Sequence, residues 1–187
     1  MPDTGQTLMS QKPTTDWICI ESPLGPLTVV ATPEAVTSID WRGRPGTSSG
    51  ITPLLTEAAR QLQAYFADGR LRFDLPLQPG GSNFQRAVWD FMLAIPAGGT
   101  RSYGECARAI GGEARNDARA VGAACGANPI PVIIPCHRIL AAGGDAGGYS
   151  GKGGLTTKRW LLRHEGAFVP PEQTSLLDVL RPGLTET

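Results

Sequence analysis

The stretch Ile133-Ile134-Pro135-Cys136-His137-Arg138 places a cysteine and a histidine side by side after an apolar run that starts at Pro131. Residues 131–134 have the composition of a short buried strand, so both side chains are predicted to leave the end of a rigid element. A thiol becomes a fast nucleophile when a histidine takes or shares its proton. The pair indicates a nucleophilic site; the alternative is a buried cysteine that merely packs beside a histidine.

The charge of the chain is unevenly distributed. Its 17 Lys and Arg balance 17 Asp and Glu, which gives a formal net charge of zero. Residues 84–166 nevertheless hold 10 basic against 6 acidic side chains, whereas residues 1–83 hold 6 against 8 and residues 167–187 hold 1 against 3. The basic excess coincides with the Cys-His pair. A local positive face is what contact with phosphates requires, so the neutral total does not exclude a nucleic-acid partner.

The sequence has few features that indicate a membrane, secretion or a metal site. No segment approaches the roughly 18 consecutive apolar residues of a membrane span, and residues 1–16 have no apolar signal core. The four cysteines form no CxxC pair, and only two histidines are available. We expect a cytoplasmic protein with no membrane association, no metal and no cofactor, in which the thiols other than Cys136 are core or incidental groups.

The N-terminal part of the chain has a strand-like pattern followed by a helical one. Residues 1–16 are polar and aperiodic, which predicts a disordered tail. Residues 17–41 contain three short apolar runs separated by turn signals, which predict a small antiparallel sheet. Apolar residues then recur at helical spacing over 54–66, which predicts one helix covering the sheet. The Pro- and Gly-rich residues 75–82 predict a domain boundary, with domains at 17–79 and 80–168 and a tail at 169–187.

Three helical patterns follow this boundary. The first covers 84–93, with Ser82 or Asn83 as its N-cap. The second covers 100–110 and is capped by Ser102, and the third covers 118–125 and is predicted to be capped by Asp117. Two short helices joined by a Gly-containing turn suggest a helix-turn-helix motif.

The third of these helices has an unusual composition for a DNA reader. It is almost entirely Ala and Gly around a single Arg119. Small residues suit close backbone approach in a narrow groove, but they equally suit tight packing inside a core. Both interpretations remain open from this helix alone.

A glycine-dense loop and a last helix complete the pattern. Residues 141–154 contain seven glycines around Tyr149-Ser150, which suits close approach to a flat ligand with one aromatic wall, or alternatively a flexible surface loop. Residues 155–166 predict a helix with Leu161-Leu162 inward and Lys158, Arg159 and Arg163 outward. Glu165 near its end could orient His137, although a solvated surface glutamate is the commoner case.

Taken in order and spacing, a set of motifs in this chain resembles the O6-alkylguanine-DNA alkyltransferase family. The resemblance is strong over residues 84–166 and weak over 17–83. The motifs that carry it are Phe84-Gln85 with Val88-Trp89, Ile95-Pro96, Ser102-Tyr103-Gly104-Glu105, Ala118-Arg119-Ala120-Val121-Gly122, Asn128-Pro129, Ile134-Pro135-Cys136-His137-Arg138, Gly148-Tyr149-Ser150-Gly151, Lys158, Leu161-Leu162 and Glu165.

The resemblance implies an α+β fold. Its N-terminal part would be a small antiparallel sheet plus a helix (ribonuclease H-like), and its C-terminal part a mainly helical domain with a winged helix-turn-helix-like DNA-binding motif. The implied activity is DNA repair by direct reversal, in which the alkyl group of O6-alkylguanine moves irreversibly to Cys136. Because the thioether is not hydrolysed, the protein would act once, without a cofactor.

The resemblance also implies roles for the catalytic residues. Cys136 would attack the alkyl carbon, with His137 as a base acting through a water and Glu165 fixing the imidazole. Asn128 would brace the turn that holds the cysteine. Tyr103 would contact the guanine and its neighbouring phosphate and help the base to leave as a neutral species.

The implied partner is double-stranded DNA, bound through its minor groove with the target guanine flipped out of the stack. Arg119 would fill the vacated space, and the small residues Ala118, Ala120 and Gly122 would let the helix lie in the groove. The guanine pocket would be lined by Pro131, the backbone around Ile139, Tyr149 and Ser150. The protein would act as a monomer, and cooperative clustering along DNA is left open.

The chain departs from the family pattern at a few places. Ala97 and Gly99 stand where an aromatic residue and a glutamate are usual, and Asp117 stands where alanine is frequent. Two extra residues are present near 111–116 and two more near 152–153. These departures bear on affinity and on the size of the pocket more than on the chemistry.

Two other functions compete with this one. A non-catalytic lesion-binding member of the family would lack the cysteine, which is present here. A cysteine hydrolase using Cys136, His137 and Glu165 is the third hypothesis, and neighbouring strand residues that point to opposite faces would make it awkward.

Overall fold

The computed structural model describes residues 15–44, 46 and 49–167. The N-terminal sheet consists of β1 (Asp16–Ile20), β2 (Leu27–Ala31) and β3 (Val36–Asp40), which pair antiparallel in that order. All five residues of the central strand β2 are buried. The predicted sheet is confirmed, with β1 beginning one residue earlier than expected.

The turn between β1 and β2 depends on a glycine. Gly25 has φ 97°, a left-handed conformation that glycine adopts without a steric penalty. Its N–H donates to the Ser22 carbonyl at 3.0 Å, and the Ser22 hydroxyl donates to the Gly25 carbonyl at 2.6 Å. The turn therefore fixes the register in which Ile20 pairs with Leu27.

The predicted first helix is α1 (Pro53–Ala67). The Thr52 side chain caps it by accepting the Leu55 N–H at 3.1 Å, and proline occupies its first turn, where no N–H is needed. The inward face of α1 covers the sheet with buried residues that include Leu55, Leu62 and Tyr65.

The segment between α1 and the next helix, α2 (Asn83–Leu93), runs along the edge of the sheet. The Val36 N–H donates to the Pro76 carbonyl and the Gln78 N–H donates to the Val36 carbonyl, both at 2.9 Å. Ser82 caps α2 in a capping box with Gln85, which decides between the two predicted caps.

The helix-turn-helix prediction corresponds to α3 (Tyr103–Ala109) and α4 (Ala114–Gly126), which pack against each other. Helix α4 begins four residues before the predicted start, so the prediction that Asp117 is its N-cap was wrong. Glu113 is the N-cap residue, and Asp117 lies in the first turn, where its Oδ2 accepts the Glu113 N–H at 2.7 Å. A carboxylate at this end of a helix is favourable whether it stands at the cap or within the first turn, and this is why the sequence did not distinguish the two.

The remaining elements are β4 (Arg101–Ser102), which pairs parallel with β5 (Ile139–Leu140), and α5 (Gly154–His164). One hydrophobic core runs through both halves of the chain, from Val29 and Leu62 to Trp89 and Ile134. The backbone joins the halves as well, since the Ile39 N–H donates to the Pro129 carbonyl at 2.8 Å. The α+β fold class is thus confirmed. Among the described residues, no helix has the length and apolar character needed to cross a membrane.

Candidate active site

Cys136 is the first residue of a single 3-10 turn, Cys136–Arg138, and does not follow a strand. Residues 131–134 form a buried tight turn in which Val132 has φ 75° and the Ile134 N–H donates to the Ile130 carbonyl at 2.9 Å. The prediction of a strand here was wrong. A short apolar run has no periodicity to separate a strand from a buried turn, and prolines at 129, 131 and 135 remove donors that a strand would need.

The side chain of Asn128 holds this turn at two points. Its Nδ2 donates to the Ile134 carbonyl at 2.7 Å, and its Oδ1 accepts the Ile130 N–H at 3.0 Å. It also hydrogen-bonds to Cys136, which lowers the pKa of that thiol. The Asn128 side chain therefore both fixes the backbone of the turn that precedes Cys136 and lowers the pKa of the thiol.

The Cys136 thiol lies in a nearly closed environment, with the residue 6% exposed. Burial raises the pKa of Cys136 above its ordinary value, while Asn128 and the Lys158 ammonium oppose that effect. The net direction is upward, so the resting side chain is a neutral thiol. A base is then needed to generate the thiolate.

His137 is completely buried and is held by Glu165. Its Nε2 lies 2.8 Å from Glu165 Oε1. Burial lowers the pKa of His137 more than Glu165 raises it, which keeps the imidazole neutral. A carboxylate can only accept, so the single ring proton is on Nε2, and Nδ1 carries a lone pair. Nδ1 is buried and has no hydrogen-bond partner within the described part of the chain, which leaves it available as a base.

Glu165 is the centre of a buried polar cluster. Its two oxygens receive Arg138 Nη2 and Nε, both at 2.8 Å, together with His137 and the Tyr65 hydroxyl at 2.8 Å. Burial alone raises the pKa of Glu165, but the hydrogen bonds from His137 and Arg138 outweigh it and bring the pKa to about 2. Arg138 is anchored further by a hydrogen bond from Nη1 to the Ile95 carbonyl. Glu165 is therefore a buried anion and not a solvated surface group.

Lys158 lies inside the protein, contrary to the predicted outward orientation. It is fully buried, and its Nζ donates to the Ile139 carbonyl at 2.5 Å and to the Gly148 carbonyl at 3.3 Å. Burial lowers the pKa of Lys158 to about 8. Position 158 is three residues before Leu161 and four before Leu162, so helical spacing places it on their inward face. That spacing outweighs the usual preference of lysine for solvent.

Tyr103 begins α3 and faces the thiol. Ser102 and Glu105 form a capping box at this helix start. Burial raises the pKa of Tyr103 to about 12, so the phenol is protonated at neutral pH. Its ring lies 5.9 Å from Lys158 Nζ. The phenol is thus a neutral hydrogen-bond donor on the α3 side of the site.

Two cavities meet at Cys136. The first, of about 460 Å³, opens toward the helix-turn-helix and is lined by Tyr103, Arg119, Gly122, Cys125, Gly126, Cys136, Gly148, Tyr149 and Ser150. The second, of about 310 Å³, lies toward the N-terminal sheet and shares Gly126, Cys136, Tyr149 and Ser150 with the first. Its other walls include Trp41, Asn128 and Pro131. The Tyr149 hydroxyl is buried and has no partner among the described residues.

The structure thus brings most of the predicted site residues around one space. Pro131, Tyr149 and Ser150 line the cavities, whereas Ile139 lines neither; it is fully buried, and its carbonyl accepts Lys158 Nζ. On α4, Arg119 and Ala120 are exposed and Ala118 and Gly122 are half-buried. A Cβ built on Gly122 would lie 3.8 Å from the Tyr103 ring, an ordinary contact, so Gly122 is not required by packing.

Three polar residues of the site were not predicted to have a role there: Tyr65, Arg138 and Lys158. The signals were present. A tyrosine on the inward face of a helix needs a partner for its hydroxyl, and a charged residue within an apolar segment must be paired when buried. Cys125, predicted to be a core or incidental thiol, lies in the hydrophobic core and also lines the first cavity, and burial raises its pKa to about 12. No group of three or more metal-ligating side chains occurs among the residues that the structure describes.

Two family models match most of the described chain. A model of the 6-O-methylguanine DNA methyltransferase DNA binding domain matches residues 83–167, and a model of the ribonuclease-like domain of the same methyltransferases matches residues 17–79.

Individual relatives are similar over most of their length. A methylated-DNA–protein-cysteine methyltransferase of Mycobacterium bovis is 42% identical over 167 residues, which cover 83% of this chain and 94% of the relative. The protein of the same name from Methanosarcina acetivorans is 40% identical, covering 79% and 96%. The crystal structure of Mycobacterium tuberculosis OGT in complex with DNA has a TM-score of 0.69 and 42% identity, covering 80% of this chain and 92% of that one.

Proposed function

Because the chain belongs to the 6-O-methylguanine DNA methyltransferase family, we propose that it repairs O6-alkylguanine in duplex DNA by moving the alkyl group to its own Cys136. The observation that carries the proposal is the arrangement at that residue. A thiol lies where two cavities meet, beside a neutral imidazole whose Nδ1 has no partner among the described residues and whose Nε2 is held by a buried carboxylate. This is a nucleophile with a base and an orienting acid.

The transfer is a displacement at carbon. The Cys136 proton passes to His137 Nδ1 through a water, and Glu165 stabilises the imidazolium that forms. The sulfur then bonds to the alkyl carbon as the bond from that carbon to guanine O6 breaks, and the electron pair stays on the base. Tyr103, protonated at neutral pH because of its raised pKa, donates a hydrogen bond to the departing guanine. The thioether has no route back to a thiol, so each molecule acts once.

The pocket geometry is compatible with a flipped base. A guanine O6 inside the stack is out of reach of a thiol that is 6% exposed, so the base has to leave the duplex. Entry would occur on the side lined by Arg119 and Gly122, which belong to the exposed face of α4. Tyr149 offers a ring for stacking and an unpartnered hydroxyl for a base edge. Small side chains at Ala118 and Ala120 favour close approach to the minor groove.

Intact-mass spectrometry tests the proposed function. The wild-type protein is mixed with excess duplex that contains one O6-methylguanine, and the same duplex with guanine serves as the control. We expect a gain of a single methyl group per protein molecule, located on Cys136 by peptide mapping, and no gain with the control. Methylation at another thiol, or release of the methyl group by an unmodified protein over many turnovers, would contradict a one-step transfer to Cys136.

A second prediction concerns Arg119→Ala. Since flipping a base costs a few kcal/mol and 1.4 kcal/mol corresponds to tenfold, loss of the inserted side chain should slow transfer from duplex DNA roughly 10- to 100-fold. Transfer from the free base O6-methylguanine should change less than about twofold, because no duplex has to be opened. Both rates come from single-turnover mass spectrometry.

The matched control for this variant is Arg108→Ala. Arg108 is an exposed arginine at the end of α3 that lines neither cavity, so its removal subtracts the same charge without changing the walls of the site. An equal loss in Arg108→Ala, or an equal loss on both substrates in Arg119→Ala, would mean that Arg119 contributes only general charge.

A further inference from the structure

We propose that Tyr65, in the N-terminal half of the chain, is a positioning residue for alkyl transfer, because its phenol donates to the same Glu165 oxygen that holds His137. The inference rests on the proposed function for its chemistry. The Tyr65 hydrogen bond limits how strongly Glu165 draws on the imidazole. Tyr65 touches neither of the cavities that meet at Cys136, so it would act only through Glu165.

The geometry places three donors on one atom. Glu165 Oε1 lies 2.8 Å from the Tyr65 hydroxyl, 2.8 Å from His137 Nε2 and 2.8 Å from Arg138 Nη2. The other oxygen, Oε2, receives Arg138 Nε at 2.8 Å. The Tyr65 and His137 bonds therefore compete directly for the same electron density, whereas a donor on Oε2 acts on the imidazole bond only through the shared charge of the carboxylate.

Packing around the Tyr65 ring restricts the orientation of its hydroxyl. Tyr65 is fully buried, and its ring contacts the rings of Phe66, Phe73 and His164 at centroid distances of 5.3, 5.3 and 5.4 Å. Its own backbone carbonyl accepts His164 Nε2 at 2.7 Å, which ties α1 to the end of α5. The hydroxyl is thus a fixed donor that cannot turn to solvent.

The direction of the effect on His137 follows from its charged neighbours. Glu165, from the end of α5, raises the pKa of His137, while Arg138 on the same turn and Lys158 from within α5 lower it, in addition to burial. Cys136 adjoins it in the chain and is neutral at rest. Burial and Glu165 together raise the pKa of Tyr65, so the phenol keeps its proton and remains a donor at any working pH. Removing that donor leaves Oε1 more negative, which makes His137 more basic.

The experiment replaces the donor in two opposite ways. Tyr65→Phe removes the hydroxyl, and 3-fluorotyrosine placed at position 65 alone makes it a stronger donor. Loss of one hydrogen bond to the carboxylate that holds His137 is a modest electrostatic change, so we expect the His137 midpoint to rise by about half to one pH unit in Tyr65→Phe and to fall by a smaller amount with 3-fluorotyrosine.

Two readouts separate this inference from the proposed function. Ring NMR titration of His137 in the unreacted protein requires no activity, and the chain has only one other histidine, His164, to distinguish from it. Single-turnover transfer from the free base O6-methylguanine at varied pH gives the kinetic midpoint, and its acid limb should move to higher pH in Tyr65→Phe. A titration shift without transfer activity would support the control of His137 by Tyr65 through Glu165 while contradicting the proposed function.

The control variant is Val29→Ala, a core truncation on the central strand β2 that removes none of the hydrogen bonds to Glu165. It should lower the free energy of unfolding without moving either midpoint. If Tyr65→Phe unfolds, the fluorotyrosine protein, which keeps every atom of the phenol except the ring hydrogen that fluorine replaces, still decides the question. Unchanged midpoints in that protein, or shifts of the same sign in both Tyr65 variants, would overturn the inference and leave Tyr65 as a packing residue.

Discussion

Cys136→Ser is expected to abolish alkyl transfer while the folded protein continues to bind lesion-containing duplex. The serine hydroxyl has nearly the same shape as the thiol. In a displacement at carbon at neutral pH it is a far weaker nucleophile, even when a histidine lies beside it. Mass spectrometry should show no methyl adduct over a time in which the wild type reacts completely. Binding to the same duplex, measured by fluorescence anisotropy, should stay within a few-fold of the wild type.

The matched control for this change is Cys19→Ser. Cys19 is on β1, where its Sγ lies 3.1 Å from the Thr28 hydroxyl, a contact that serine can keep. This variant should accept one methyl group per molecule, as the wild type does. A methyl adduct on the Cys136→Ser protein, at Cys125 for example, would show that the cavity activates a second thiol despite the raised pKa of that group.

Glu165→Ala is expected to lower the free energy of unfolding by about 3–5 kcal/mol, the usual cost of removing one partner of a buried ion pair. The Glu165 side chain is fully buried, and its loss leaves Arg138 Nε and Nη2 and the Tyr65 hydroxyl without their acceptor. Transfer should also fail, because His137 loses the group that fixes its ring. Urea unfolding followed by circular dichroism measures the stability, with Glu34→Ala as an exposed-glutamate control that should change it by less than about 0.5 kcal/mol.

The same carboxylate predicts how stability depends on pH. The pKa of Glu165 is about 2 in the folded protein, against an ordinary value of 4.5 for an unperturbed glutamate, so the unfolded chain binds the proton more tightly. The stabilisation is therefore fully present above pH 4.5 and is lost as the pH falls from about 4.5 toward 2. At 1.36 kcal/mol per unit this amounts to about 3 kcal/mol. The difference in stability between wild type and Glu165→Gln should shrink over that interval; a constant difference would mean that the charge of Glu165 is not what stabilises the fold.

The sequence allowed the elements with a strong pattern to be predicted. Helix α1 has an inward stripe from Leu55 to Tyr65, and α2 has a capping box at Ser82 before its apolar face, so their existence and type followed from spacing and end signals. The three-stranded sheet followed from short apolar runs between turn residues. These elements depend on local chemistry, which a single sequence contains.

The elements that were wrong or missed depend on distant contacts. The turn at residues 131–134 is held by Asn128 from outside the run, so its own composition could not separate it from a strand. The argument against a cysteine hydrolase assumed that Cys136 and His137 follow each other on a strand. They share a 3-10 turn, so that argument does not hold. Repeated turnover, which a hydrolase shows and a one-step alkyl acceptor does not, distinguishes the two functions instead. Tyr65 and Glu165 are 100 positions apart, and only the folded chain brings them together.

The contacts between α1 and the end of α5 have a consequence for the modularity of this fold. The C-terminal half carries Cys136, His137 and α4, yet Glu165 also accepts a hydrogen bond from a phenol of the other half, and β3 supplies the backbone N–H that the Pro129 carbonyl accepts. A graft of residues 83–167 onto a foreign scaffold would leave both acceptors without these donors. The C-terminal half therefore depends on contacts from the N-terminal half. To preserve these contacts, a chimaera with a different N-terminal half needs a tyrosine hydroxyl that donates to Glu165.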